Sequence, residues 1–120
     1  MGPLLLSATE PSADRLASVV GGELGARRPE LSWEGIGGPE LRGSTCFKAL
    51  GRAEDMSGAG LVELLPQLAG LYRGRRTLQK ALLRTPQFAL FVDAPDLHLP
   101  LAKQARGLGV PVIQLGLPQF

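Results

Sequence analysis

Apolar positions along this chain change period several times, and the changes mark out alternating strands and helices. Residues 3–8 form a short apolar run closing on Ser7 and Ala8, the length of a strand. The polar turn Thr9-Glu10-Pro11-Ser12-Ala13-Asp14 follows. In it Ser12 reads as a helix N-cap, and Asp14 falls in the first turn, where a carboxylate complements the helix dipole. Leu16, Val19, Val20 and Leu24 recur at helical spacing, and Arg27 and Arg28 close that helix before Pro29. Residues 31–36 alternate as a second strand, which Gly37-Gly38-Pro39 breaks. Residues 45–50 supply a short third one.

Helical spacing returns over residues 58–84 through Leu61, Leu64, Leu65, Leu68, Leu71, Leu78 and Leu82, with Pro66 and Gly70 expected to start, kink or divide the stretch. Residues 88–92 are five apolar residues between Pro86 and Pro95, the length of a buried parallel strand. Leu97, Leu101, Ala105 and Leu108 then mark a helix with Asp96 as its cap and Pro100 in its first turn. Gly107 and Gly109 end it, and residues 110–115 form a last strand. Strands alternating with helices through short loops predict an α/β fold with a parallel sheet and right-handed crossovers. The expected form is a doubly wound, Rossmann-like sheet of strand order 3-2-1-4-5, whose switch point lies between the first strand and residues 88–92. The turns at 7–14 and 93–96 would then face each other across one crevice flanked by residues 35–39.

Composition narrows the function. A chain of 120 residues makes one domain, 1–120, short for a complete two-substrate enzyme. No apolar stretch approaches the roughly 18 residues of a membrane span, and the start lacks a basic segment and a signal-like apolar core, so cytoplasm is the expected location. With Cys46 and His98 the single residues of their types, a Cys/His zinc site within one chain is excluded, and neither metal nor cofactor is expected. Cys46 reads as a packed thiol.

The candidate chemistry starts at Asp93, which follows the apolar run directly, at the end of a strand where open α/β sheets hold their ligands. A carboxylate leaving a low-dielectric core suits a general base acting on a hydroxyl, since desolvation raises its pKa. Asp96 reads as a helix cap or as its neighbour in a site, and His98 as a surface or partly buried residue rather than a catalytic one. Glu10 and Asp14 either cap the first helix or meet a ligand. Gly37 and Gly38 serve a turn or let a sugar or phosphate approach the backbone. The glycine-rich dinucleotide fingerprint is missing, which argues against NAD. Net charge is +2, with the cations gathered at Arg73, Arg75, Arg76, Lys80 and Arg84. That group is a solvated helix face or a surface for anionic lipid. Nucleic acid is not expected, because Tyr72 is the sole aromatic residue there for stacking.

Four segments together resemble the amino-terminal part of the lipid-A-disaccharide synthase family. Residues Leu6-Ser7-Ala8-Thr9-Glu10-Pro11-Ser12-Ala13-Asp14 are similar to its S-A-G-E-x-S-G-D turn, and Gly35-Ile36-Gly37-Gly38-Pro39 to its G-[IV]-G-G-P turn. Met56-Ser57-Gly58-Ala59-Gly60-Leu61-Val62-Glu63-Leu64-Leu65 resembles its M-x-x-x-G-[LI]-V-E-V-L segment, and Asp93-Ala94-Pro95-Asp96 its D-A-P-D-F-N. The resemblance implies one half of a two-domain glycosyltransferase. The complete enzyme joins UDP-diacylglucosamine to an acylated glucosamine 1-phosphate acceptor at the inner membrane face. It implies Asp93 as the base for the acceptor hydroxyl. Ser7, Glu10, Ser12, Asp14, Gly37, Gly38 and Asp96 would contact substrate, and Arg73, Arg75, Arg76 and Lys80 would meet an anionic membrane peripherally. Thr9 and Ala13 stand where the family has glycines, and Leu97-His98 where it has F-N. The carboxyl-terminal half with the nucleotide-sugar site is expected to be absent, so a separate second half would have to complete the enzyme. The alternative is a non-catalytic remnant or binding module of the same fold.

Overall fold

The computed structural model describes residues 3–44, 46–55 and 64–116. Its strands are β1 (Leu4–Ala8), β2 (Trp33–Gly37), β3 (Phe47–Arg52), β4 (Ala89–Val92) and β5 (Val112–Leu115). Its helices are α1 (Pro11–Arg27), α2 (Pro39–Arg42), α3 (Leu64–Leu83) and α4 (Pro95–Gly107). All strand pairs are parallel and the sheet runs β3-β2-β1-β4-β5. The expected order and its switch point between β1 and β4 are both present, and the fold is a Rossmann-like α/β sheet.

The central strands read as continuous apolar runs because both faces of the sheet are covered. Leu4, Leu6 and Ala8 of β1 join Leu90 and Val92 of β4 in a core with Ala13 and Ala17 of α1 and Leu41 of α2. The alternate residues Leu5, Ala89 and Phe91 face Leu78, Ala81 and Leu82 of α3 and Leu97, Leu101 and Ala105 of α4. Glu34 of β2 is buried, and Arg84, just past α3, meets it with Nη2 at 2.7 Å from Oε1. Arg84 therefore leaves the basic cluster predicted from the sequence and serves an ion pair.

Three helix starts share one cause. Pro11, Pro39 and Pro95 each occupy the first helical position of α1, α2 and α4, so Glu10, Gly38 and Ala94 become the N-cap residues. Proline is preorganised there, since its fixed φ suits the helix and its missing N–H would have no partner. This corrects two expectations: Ser12 and Asp96 lie inside their helices as second residues, not at the caps. Pro100 is the sixth residue of α4, one turn later than expected. The α3 helix runs from Leu64 through Pro66 and Gly70 without a break. The segment 58–63 of the predicted helix, and with it the M-x-x-x-G-like motif up to Glu63, lies outside the described residues.

Candidate functional site

Asp14 turns inward from the first turn of α1 and is 2% exposed. Its Oδ1 accepts the backbone N–H groups of Gly38 at 2.9 Å and Leu41 at 3.1 Å, and its Oδ2 accepts that of Glu40 at 2.9 Å. The N-cap glycine of α2 has no side chain to satisfy these amides, so a carboxylate from another helix does so. Gly38 is needed for close approach: a Cβ there would stand 2.7 Å from Asp14 Oδ2. A Cβ on Gly37 would meet Leu41 Cδ1 at 2.7 Å. Both glycines thus have a packing reason, and Asp14 caps α2 rather than its own helix.

Above this knot lies a cleft of about 400 Å³ lined by Thr9, Glu10, Pro11, Arg15, Glu40 and Glu54 among others. It opens between the β1–α1 turn and the β2–α2 turn, so residues 38–40 form its second wall, where the expectation placed residues 93–96 opposite residues 7–14 and residues 35–39 only on the flank. Asp93 is not among its lining residues; it follows β4, on the other side of β1. Glu54 is held by Arg42 through two bonds of 2.6 Å, and Arg42 Nη1 also donates to Gly37 O. The Arg42 guanidinium pulls the Glu54 carboxyl down to about 2. Glu10 makes no side-chain cap bond and lines the cleft. Acids, an arginine and a threonine hydroxyl around an open cleft suit hydrogen bonding to a polyhydroxylated ligand. Ser12 is exposed on the second residue of α1.

Asp93 sits at the end of β4 with φ 52°, and Ala94 follows with φ 46°. Two successive left-handed residues, neither of them glycine, cost about 1–2 kcal/mol each. The surrounding bonds hold them. Asp93 N–H donates to Leu115 O at 2.8 Å, and Asp93 O receives Gln114 Nε2 at 3.1 Å and His98 Nδ1 at 2.6 Å. Across the end of β5, Gly116 has φ 96°, and a Cβ on it would lie 1.9 Å from Asp93 Oδ1. Strand ends therefore hold the Asp93 backbone, and the missing Cβ of Gly116 leaves room for its carboxylate. Asp96 is the second residue of α4.

His98 is fully buried, which corrects the expectation of a surface or partly buried residue. Its Nε2 lies 2.7 Å from Ser7 Oγ, and its ring stacks on Phe91 at 4.8 Å and 7°. Burial pushes the imidazole from 6.5 down to about 4, against the opposing pull of Asp93. A helical reading contained the signal: position 98 shares a face with Leu101 and Ala105, both core residues. Ser7, inside an apolar strand, marked the polar partner. Gln114 and Gly116 were legible only once β5 lay beside β4. Among the described residues, no group of three metal-ligating side chains comes together.

On α3, Arg73, Arg75, Arg76 and Lys80 are exposed and form no ion pair among the described residues. Tyr72 and Leu83, 61% and 64% exposed, share the outward face with Arg73, Arg76 and Lys80. No described helix is long and apolar enough to cross a membrane.

A doubly wound parallel sheet with an aspartate on the strand beside its switch point defines a Rossmann-like α/β domain. Residues 4–119 match the family model described as lipid-A-disaccharide synthetase, and the chain belongs to that family. It is 42% identical over 111 residues to the lipid-A-disaccharide synthase of Anaeromyxobacter dehalogenans (strain 2CP-C), covering 92% of this chain and 29% of the relative. The Myxococcus xanthus (strain DK1622) synthase is 37% identical over 110 residues, 91% of this chain and 28% of the relative. That of Solibacter usitatus (strain Ellin6076) is 33% identical over 120 residues, 99% of this chain and 31% of the relative. The chain thus spans less than a third of the length of these curated relatives.

Proposed function

We propose that this chain is the acceptor-side Rossmann-like half of a glycosyltransferase of the lipid-A-disaccharide synthase kind. The complete reaction moves diacylglucosamine from UDP-diacylglucosamine to the hydroxyl of an acylated glucosamine 1-phosphate, with UDP leaving. Asp93 takes the proton of the acceptor hydroxyl as that oxygen attacks the sugar carbon. The observation that carries this reading is the held left-handed geometry of Asp93 at a strand end beside the switch point, a conformation maintained at local cost. Glu10 and the polar rim of the cleft contact the acceptor, along with Ser12 and Asp96. Ser7, Asp14, Gly37 and Gly38 shape the turns from beneath. The outward face of α3 meets anionic lipid peripherally at the cytoplasmic side of the inner membrane.

Transfer requires donor and acceptor held together, and the chain covers less than a third of its relatives. The 120 residues by themselves bind acceptor without turnover, and a carboxyl-terminal half supplies the donor site. Thr9 and Ala13, standing where the family has glycines, favour as a second reading a binding module without catalysis.

The test is an acceptor titration in mixed micelles followed by NMR, paired with a UDP-release assay. Amide shifts at Thr9, Glu10, Gly38, Glu40 and Asp93 support acceptor binding, and silence at all of them removes the reading. UDP release by the chain alone would overturn the requirement for a second half. With a donor-binding half supplied, Asp93→Asn should keep acceptor binding and lose transfer; unchanged transfer would remove Asp93 as base and, with it, the enzyme reading of this site.

A further inference from the structure

Ser7 and Phe91 are register partners on adjacent strands, so their side chains stand together on the face covered by α4. His98 comes down from α4 onto both, stacking on Phe91 and reaching Ser7 Oγ. The other ring nitrogen faces the Asp93 carbonyl, an atom that can only accept. Nδ1 therefore carries the hydrogen, Nε2 offers its lone pair, and the Ser7 hydroxyl donates to it. The chain of bonds runs Ser7 Oγ–H to Nε2, then Nδ1–H to Asp93 O. Ser7 and His98 are both 0% exposed, so no substrate reaches that hydroxyl and the pair is not a nucleophilic dyad.

We propose that His98 is a positioning residue: it ties the end of β1 to the Asp93 carbonyl and so fixes the left-handed turn that carries the Asp93 carboxylate. The inference deepens the reading of Asp93 as acceptor base and rests on it for its functional meaning. A leucine would fill much of the same space but leave Asp93 O with one donor fewer and Ser7 without its acceptor. The stacked Phe91 ring keeps the imidazole plane from turning away from either partner. Gln114, reaching the same carbonyl from β5, supplies the second donor.

The experiment is NMR on the 120-residue chain without acceptor or donor. Nitrogen-15 spectra of wild-type protein at neutral pH should give a His98 imidazole protonated on Nδ1 alone. His98→Asn keeps a donor amide near Nδ1, whereas His98→Leu does not. In His98→Leu, hydrogen exchange at the Asp93 and His98 amides should speed up about tenfold, the loss of one net hydrogen bond. The Asp93 carboxyl carbon shift should move with it. In His98→Asn both should return part of the way toward wild type, since its amide reaches Asp93 O but not Ser7 Oγ. An Nε2–H tautomer in the wild type overturns the proposal even where no variant folds. So does an Asp93 signal indifferent to His98→Leu, or one altered equally by both variants, which is packing alone. No substrate enters this experiment, so failure of the acceptor titration leaves the clamp standing, and loss of the clamp leaves acceptor binding to be measured by itself.

Discussion

Gly38 gives its amide to the Asp14 carboxylate at 2.9 Å and leaves empty the point where a Cβ would stand 2.7 Å from Asp14 Oδ2. The two residues form one device, and their substitutions should not add. Asp14→Ala strands three amides at the start of α2 and is expected to cost about 2–3 kcal/mol. Gly38→Ala drives a methyl group against the carboxylate at about 1–2 kcal/mol. In the double variant the clash is gone, so the total should fall at least about 0.5 kcal/mol short of the sum in urea denaturation. Strict additivity would mean the carboxylate is not where α2 needs it.

His98 predicts an acid limb to stability. The unfolded chain binds a proton on this imidazole near 6.5, the folded one near about 4. Acid therefore favours the unfolded state: the contribution is complete above 6.5, falls as pH drops toward 4, and is level below. It amounts to about 3 kcal/mol, an order-of-magnitude figure. Unfolding free energies across this range should lose that component in His98→Asn. Glu54 acts in a lower window, between 4.5 and about 2, and adds little because its pair with Arg42 is solvent-screened. A wild-type profile flat between pH 6.5 and 4 would contradict the neutral buried imidazole.

Ala94 and Gly116 make opposite predictions around Asp93. Ala94 has φ 46°, so Ala94→Gly removes a Cβ penalty and should stabilise by up to about 1 kcal/mol, raising Tm. Gly116→Ala adds both a strained φ and a contact on Asp93 Oδ1, and should lower stability by about 1–2 kcal/mol while shifting the Asp93 amide signal. Unchanged Asp93 signals in Gly116→Ala would separate the two residues.

The outward face of α3 can be tested by charge reversal. Arg73→Glu, Arg75→Glu and Arg76→Glu combined should lower cosedimentation with acidic vesicles by more than about tenfold, with Tm little changed because all three are exposed. Equal binding by the variant returns this face to ordinary solvation.

Strand order was legible because each central strand is covered on both faces and reads as an unbroken apolar run, as in Leu4, Leu5 and Leu6 or Ala89 to Val92. Helix starts are disguised where a polar residue stands one place after a proline. Ser12 and Asp96 have the side chains of caps, yet Pro11 and Pro95 had already begun the helices. Asp14 was legible as a helix-start acid but not as the cap of α2, because its bonds join turns whose approach only the sheet decides. The site divided in the same way. Asp93 stood out at a strand end, whereas the residues that hold it come from β1, α4 and β5. The single histidine two residues past Asp96 carries no burial signal of its own; its spacing with Leu101 and Ala105 puts it on the covered face of α4 only once the sheet defines that face.

The Ser7–His98 bond spans 91 residues of sequence. A contact of that separation carries a large loop-closure cost and is rewarded only after the strands between have paired. Gln114 and Leu115 come later still along the chain, so the last bonds on the Asp93 turn wait for β5 to dock. During synthesis, Asp93 is made before His98, Gln114 and Leu115, which set its geometry. The turn acquires its final shape late in folding, and a chain with β5 undocked would carry the aspartate without its orientation.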